Sequence, residues 1–134
     1  IMGMGRTGRA AYDHLQEKGF EVVGLDSDPV VIEFSAKVGR RVLFADGEDQ
    51  MLWQMLEMPA VEAVILALND AETQIISTQK LRERGFRGLI VSHALYEDIA
   101  QRIQDAGADR TYLTMSEAGA GLAEHVARDL QPKT

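Results

Sequence analysis

The sequence predicts an α/β fold, a doubly wound parallel sheet of about six strands with helices on both faces. Three observations predict it. Gly3-Met4-Gly5-Arg6-Thr7-Gly8 has G-x-G-x-x-G spacing and stands between an apolar start, Ile1-Met2, and a helical pattern. Glycine punctuates the passage from helix to strand at Lys18-Gly19-Phe20, Val38-Gly39-Arg40, Arg84-Gly85-Phe86 and Ala106-Gly107-Ala108. Residues 61–68 are nearly all apolar, the mark of a strand covered on both faces. Strict alternation of strands and helices calls for right-handed crossovers and a parallel sheet, and the glycine loop makes it Rossmann-like. With strands counted along the chain, the implied spatial order is 3-2-1-4-5-6, which puts a ligand crevice beside the loops after the first and fourth.

Each element follows from local signals. Residues 9–18 form the first helix, with Ala10, Ala11 and Leu15 on one side and Gly19 past its end. Residues 21–26 are a second strand that ends on Asp26. Asp28 is an N-cap and Pro29 the first helical residue of a helix through Val38 that Gly39 terminates. Residues 41–45 are a short third strand, Asp46-Gly47 a turn, and a helix over about 48–56 is closed by Pro59. After the apolar strand at 61–68, Asn69-Asp70 caps a helix that runs to about Arg84. Leu89-Ile90-Val91 is the core of a fifth strand, and Leu95, Ile99 and Ile103 mark the inward face of the next helix. Residues 110–113 make a sixth strand. Ser116 caps a last helix with Leu122, Ala123, Val126 and Leu130 inward, followed by a frayed polar tail at 131–134.

The chain has 134 residues and 46% apolar content, which suits one domain with a core of ordinary size. Its formal charge of −7 argues against a broad nucleic-acid footprint or adsorption to an anionic membrane. Without cysteine it has no disulfide, thiolate metal site or thiol chemistry. No apolar run approaches the roughly 18 residues that cross a bilayer. Ile1 leaves almost no strand before the first glycine, so residues 1–134 are expected to be a soluble piece of a larger protein.

In the glycine loop, Gly3 permits the tight turn, Gly5 lets the backbone approach a pyrophosphate, and Gly8 lets the helix pack closely on the sheet. The helix start offers free N–H groups and a positive dipole end, within reach of Met4 and Thr7 as well. Arg6 lies in that first turn, where a cation opposes the dipole at a cost of a few tenths to about 1 kcal/mol. A bound phosphate would offset that cost, so Arg6 is read as a phosphate contact. Asp26 lies eighteen residues beyond Gly8, the separation expected of an acid that bonds a ribose and repels a 2′-phosphate. Ser27 follows it on the crevice side. Asp46 and Gly47 lie where an adenine edge would sit, with a plain turn as the alternative. Asn69 faces the phosphate crevice or caps the helix. His14, His93 and His125 show no metal-ligand spacing; the first and last are helix-surface residues, and His93, after the fifth strand, is a loop residue, with a place facing the crevice as the alternative. Met51, Met55 and Met58 around Trp53 form an apolar stripe, read as core or as an interface.

Together G-M-G-R-T-G, L-D-S-D-P, A-D-G and A-L-N-D resemble the TrkA-type nucleotide-binding domain, also called RCK, over nearly the whole chain. The nearest likeness is to the cytoplasmic domain of Kef-type glutathione-regulated potassium efflux antiporters. The resemblance implies an adenine nucleotide, NAD(H) or AMP, held by Gly3, Gly5, Arg6, Gly8, Asp26, Asp46 and Gly47. It implies a homodimer, a transmembrane transport domain in the parent protein, and a place on the cytoplasmic face of the cell membrane. One departure stands out. Glutathione is a possible further partner by the same resemblance, but glutathione-responsive Kef-type domains usually show an arginine-bearing segment after the fifth strand, where this chain has Ser92-His93-Ala94.

The competing expectation is the nucleotide-binding half of an NAD-dependent dehydrogenase lacking its substrate domain. Such an enzyme needs an acid–base group over the nicotinamide. The compact Tyr-x-x-x-Lys version is missing, because Tyr12, Tyr96 and Tyr112 are followed four places on by Gln16, Ala100 and Ser116. The G-x-G-x-G of a methyltransferase fails at Thr7. The residues therefore favour a nucleotide-sensing regulatory domain without catalysis.

Overall fold

The computed structural model describes residues 1–45 and 60–131. Along the chain the elements are α1 (Arg6–Glu17), β1 (Gly24–Asp26), α2 (Pro29–Lys37), β2 (Val42–Phe44), β3 (Ala63–Leu66), α3 (Ala71–Glu83), β4 (Leu89–Ala94), α4 (Glu97–Asp105), β5 (Arg110–Leu113) and α5 (Thr114–Leu130). The Asp46-Gly47 turn, the helix expected at 48–56, its Met/Trp stripe and residues 132–134 lie outside the described residues.

All strand pairings are parallel: β1 with β2, and β3 with β4 with β5. The first strand is reduced to a bridge. Met2 pairs with both Leu25 and Leu66, donating its N–H to the Ile65 carbonyl at 2.8 Å and accepting from the Ala67 N–H at 2.9 Å. One residue thereby joins the two halves in the order β2, β1, Met2, β3, β4, β5, the doubly wound order that the sequence implies. The crossovers fall where local chemistry puts them. Asp28 accepts from the Val30 N–H with Pro29 at N1, and Gly19, Gly39, Gly85 and Gly107 follow their helices with positive φ.

Leu66, Leu81, Ile90 and Ile103 are fully buried between the sheet and α3 and α4. Burying each stabilises the fold by about 1.5–3 kcal/mol. On the other face Met4, Tyr12 and Val42 form a smaller cluster. Arg82 closes the far end of the sheet. Its guanidinium donates to the carbonyls of Gly107 (2.9 Å), Phe86 (2.8 Å) and Gly88 (3.0 Å) and pairs with Asp109 at 2.9 Å. A rigid five-donor fork suits that task, and lysine would not.

Five expectations need correction. The first helix begins at Arg6, three residues early, because Gly5 serves as its N-cap; Ala10 is exposed, and Gly8 and Tyr12 are the buried residues. The fifth strand continues to Ala94, so His93 is a strand residue and not a loop residue. Leu95 is exposed ahead of α4, whose inward residues are Ile99, Ala100 and Ile103. The last helix starts at Thr114 with Leu113 at the cap position, so Ser116 lies within the first turn and caps nothing. Finally, α5 buries no residue: Leu122 (70%), Val126 (57%) and Leu130 (77%) are open to solvent, as is Ala123. The helix leaves the sheet directly from β5, and no described element lies over its apolar stripe.

Candidate functional site

The glycine loop sits over the carboxyl ends of Met2 and β1, and its three glycines have different reasons to be there. Gly3 has φ 94°, and a β-carbon on it would lie 2.9 Å from Leu68 Cδ2 and 3.2 Å from the Ala67 backbone. A β-carbon on Gly8 would lie 1.9 Å from the Gly3 carbonyl oxygen, which is impossible. These two are required by the fold itself. Gly5 is not: a β-carbon there meets nothing within 4 Å. Its bare backbone borders open space.

The start of α1 is equally unfilled. Gly5 brings no side-chain cap and no acid stands in the first turn, so the first N–H groups point outward unanswered by a side chain. Arg6 and Thr7 are exposed, and Arg6 makes no hydrogen bond or ion pair among the described residues. A helix end with free donors and a cation, lacking a counter-charge among the described residues, concentrates positive potential at the loop. Met4, in contrast, sends its side chain inward, fully buried against Gly24. Only its backbone belongs to the loop.

Asp26, at the end of β1, faces this loop. One carboxylate oxygen accepts the Met4 N–H at 2.8 Å and the other accepts the Asp28 N–H at 2.9 Å. Each oxygen retains a lone pair for a hydroxyl group. Ser27, next to it, is exposed.

The opposite wall is formed by the residues after β3. Here the cap is Asp70, which accepts from the Thr73 N–H at 2.9 Å and the Thr73 hydroxyl at 2.5 Å. Those bonds hold the Asp70 carboxyl below its usual range. Asn69 is left exposed at the crevice, without the capping role. Asp46 and Gly47 lie outside the described residues.

Two contributors were not found from sequence. Tyr12 is buried in α1, and its hydroxyl accepts the Arg41 N–H at 2.7 Å, while Arg40 and Asp13 form a two-bonded ion pair at 2.8 Å beside it. That pair lowers the Asp13 carboxyl and fixes α1 against the approach to β2. Gln74 of α3 is also buried. Its amide donates to the carbonyls of Leu68 (2.7 Å) and His93 (2.9 Å) and accepts from the Ser92 hydroxyl. It thus clamps the ends of β3 and β4 together. No local pattern marks either residue; a polar group at an inward helical position is the nearest thing to a signal.

The His93 ring lies between Leu68 and α5. Its Nδ1 is 2.8 Å from the Thr114 hydroxyl, and burial pushes its pKa down, opposed by the Leu68 backbone. Among the described residues no group of three or more His, Asp or Glu is placed to hold a metal.

Residues 1–114 match the profile of the TrkA-N domain. The chain belongs to the TrkA-N domain family. It is 29% identical over 110 residues to the glutathione-regulated potassium-efflux system protein KefC of Escherichia coli, covering 82% of this chain and 18% of that one. This TrkA-N domain therefore spans about a fifth of the curated relatives that it matches. In fold it is similar to the NAD(P)-binding domain of an exopolyphosphatase-related protein from Archaeoglobus fulgidus, with a TM-score of 0.84, 19% identity and 96% of each chain covered. It is also similar to the GsuK channel bound to NAD, with a TM-score of 0.72, 25% identity, and 96% of this chain and 22% of that one covered. The family match ends at Thr114, where α5 begins.

Proposed function

We propose that this TrkA-N domain is a nucleotide sensor. It binds an adenine nucleotide, NAD(H) or AMP, and regulates a potassium efflux transporter or channel of which it is a part. The observation that carries this reading is Gly5. The fold needs Gly3 and Gly8 for its own packing, whereas Gly5 is spared a side chain on a face that borders open space, beside a helix start without a side-chain cap and an Arg6 that has no partner among the described residues. A diphosphate or monophosphate against that backbone answers all three features at once. Asp26 takes the ribose hydroxyls, and Asn69, Thr7 and Ser27 border the same crevice.

The nucleotide is read as a signal and not as a reagent. The likeness to KefC and to a channel favours that over the dehydrogenase half, and the KefC likeness supports a membrane transport domain in the parent protein at whose cytoplasmic face this chain works. No described helix is long and apolar enough to cross a membrane. The uncovered stripe of α5 supports a second copy of the chain as partner, with Met115, Leu122, Val126 and Leu130 at the contact. The proposal does not extend to glutathione, since Ser92 and Ala94 are buried and the His93 ring is engaged by Thr114.

Titration calorimetry with NAD, NADH and AMP tests the reading. Saturable binding of at least one is expected, with a matching rise in melting temperature. Absence of both signals for all three at millimolar ligand overturns it.

A further inference from the structure

We propose that His93 and Thr114 are positioning residues that tie the direction of α5 to the crevice wall at Leu68. This deepens the sensor reading and rests on the crevice being where the ligand sits.

Three observations lead there. First, α5 is seventeen residues long and buries none of them, so its direction is set at its first turn, where it leaves β5. Second, that turn is held by a side chain: the Thr114 hydroxyl lies 2.8 Å from His93 Nδ1 and donates to the Ala94 carbonyl at 3.3 Å. Third, His93 is joined to the crevice. Its carbonyl accepts from Gln74 Nε2, which also donates to the Leu68 carbonyl. Leu68 in turn packs on Gly3, where a β-carbon would lie 2.9 Å from Leu68 Cδ2. A continuous path therefore runs from the glycine loop through Leu68, Gln74, His93 and Thr114 to α5.

Its members have little slack. Gln74 is 2% exposed and uses both amide donors and its acceptor, so a shift of Leu68 cannot be absorbed without breaking a buried hydrogen bond. A ligand that displaces the wall is then read out as a change at the start of α5. By reciprocity, a change at Thr114 must be felt at the wall.

Hydrogen exchange resolved by mass spectrometry tests this on the chain itself, first without ligand. Thr114→Val deletes the hydroxyl at constant shape and is expected to speed exchange by about threefold or more at residues 67–73 as well as at 114–119. Thr114→Ser, which restores the hydroxyl, is expected to return both segments to wild-type rates. An effect of Thr114→Val confined to 110–119 makes the contact merely local and overturns the proposal. Gln74→Met cuts the path on its other side and is expected to speed exchange in 114–119; it decides the matter if Thr114→Val does not fold. With saturating NAD, wild type is expected to change its exchange in 114–119. Thr114→Val is expected to lose that response and, by the same reciprocity, to bind NAD with an affinity shifted by about twofold or more; a retained response overturns the proposal. If NAD, NADH and AMP all fail to bind wild type, the sensor reading fails, while the ligand-free arm still decides the coupling.

Discussion

The carboxylate of Asp26 accepts the backbone N–H of Met4 at 2.8 Å, so the acid after β1 and the glycine loop are one unit before any ligand arrives. With the Asp28 N–H on the other oxygen, the group is held at a fixed angle over the crevice. Ordering it in advance removes a cost that binding would otherwise carry.

Asp26→Asn keeps the shape but turns one acceptor into a donor, which must then face the N–H of Met4 or of Asp28. Stability is expected to fall by about 1–3 kcal/mol in urea denaturation. Affinity for NAD or AMP is expected to fall tenfold or more by calorimetry, about 1.4 kcal/mol or greater. Wild-type affinity in this variant would remove Asp26 from the site.

The three glycines are expected to separate under substitution by alanine. Gly3→Ala and Gly8→Ala clash with backbone and are expected to cost more than about 3 kcal/mol, or to prevent folding. Gly5→Ala meets no atom and is expected to cost less than about 1 kcal/mol, while weakening nucleotide binding at least tenfold. Thermal denaturation and calorimetry on the same samples make the comparison. Equal losses of stability at Gly5 and Gly8 would contradict it.

Arg6→Ala removes a cation that opposes the α1 dipole. A gain in stability of about 0.3–1 kcal/mol is expected, because nothing in the described structure compensates Arg6. Binding is expected to move the other way and to weaken by about 1.5–3 kcal/mol, the range of a charge-assisted hydrogen bond. An unchanged affinity would make Arg6 a bystander.

Leu122→Glu with Val126→Glu places two charges on the open stripe of α5. Monomer stability is expected to stay within about 0.5 kcal/mol, since neither side chain is buried. Light scattering is expected to show a dimeric wild type and a monomeric variant. Two monomers, or two dimers, would exclude this stripe as the contact between copies.

Much of the fold was legible because its signals are local. Asp28 before Pro29, Asp70 before Ala71, and the glycines after four helices act within three or four residues of themselves, through sterics and single hydrogen bonds. The G-x-G-x-x-G loop and Asp26 were legible for a related reason: one βαβ unit fixes their separation, so spacing along the chain carries their proximity.

Other features were settled by contacts that no short window contains. The apolar period of α5 reads the same whether a neighbour covers it or not, and no described element covers it. Tyr12 holds α1 to Arg41, twenty-nine residues away, and Gln74 of α3, already bonded to Leu68, reaches His93 nineteen residues on. His93 is a strand residue because pairing with β5, not its own neighbours, extends β4 to Ala94. The sequence by itself determined the order of the described elements, the caps at Asp28 and Asp70 and the turn of the glycine loop, since each depends on the backbone's immediate surroundings. The tertiary structure decided which glycine borders open space, which helix face no described element covers and which buried polar groups met. Those depend on what the rest of the chain brings to the same place.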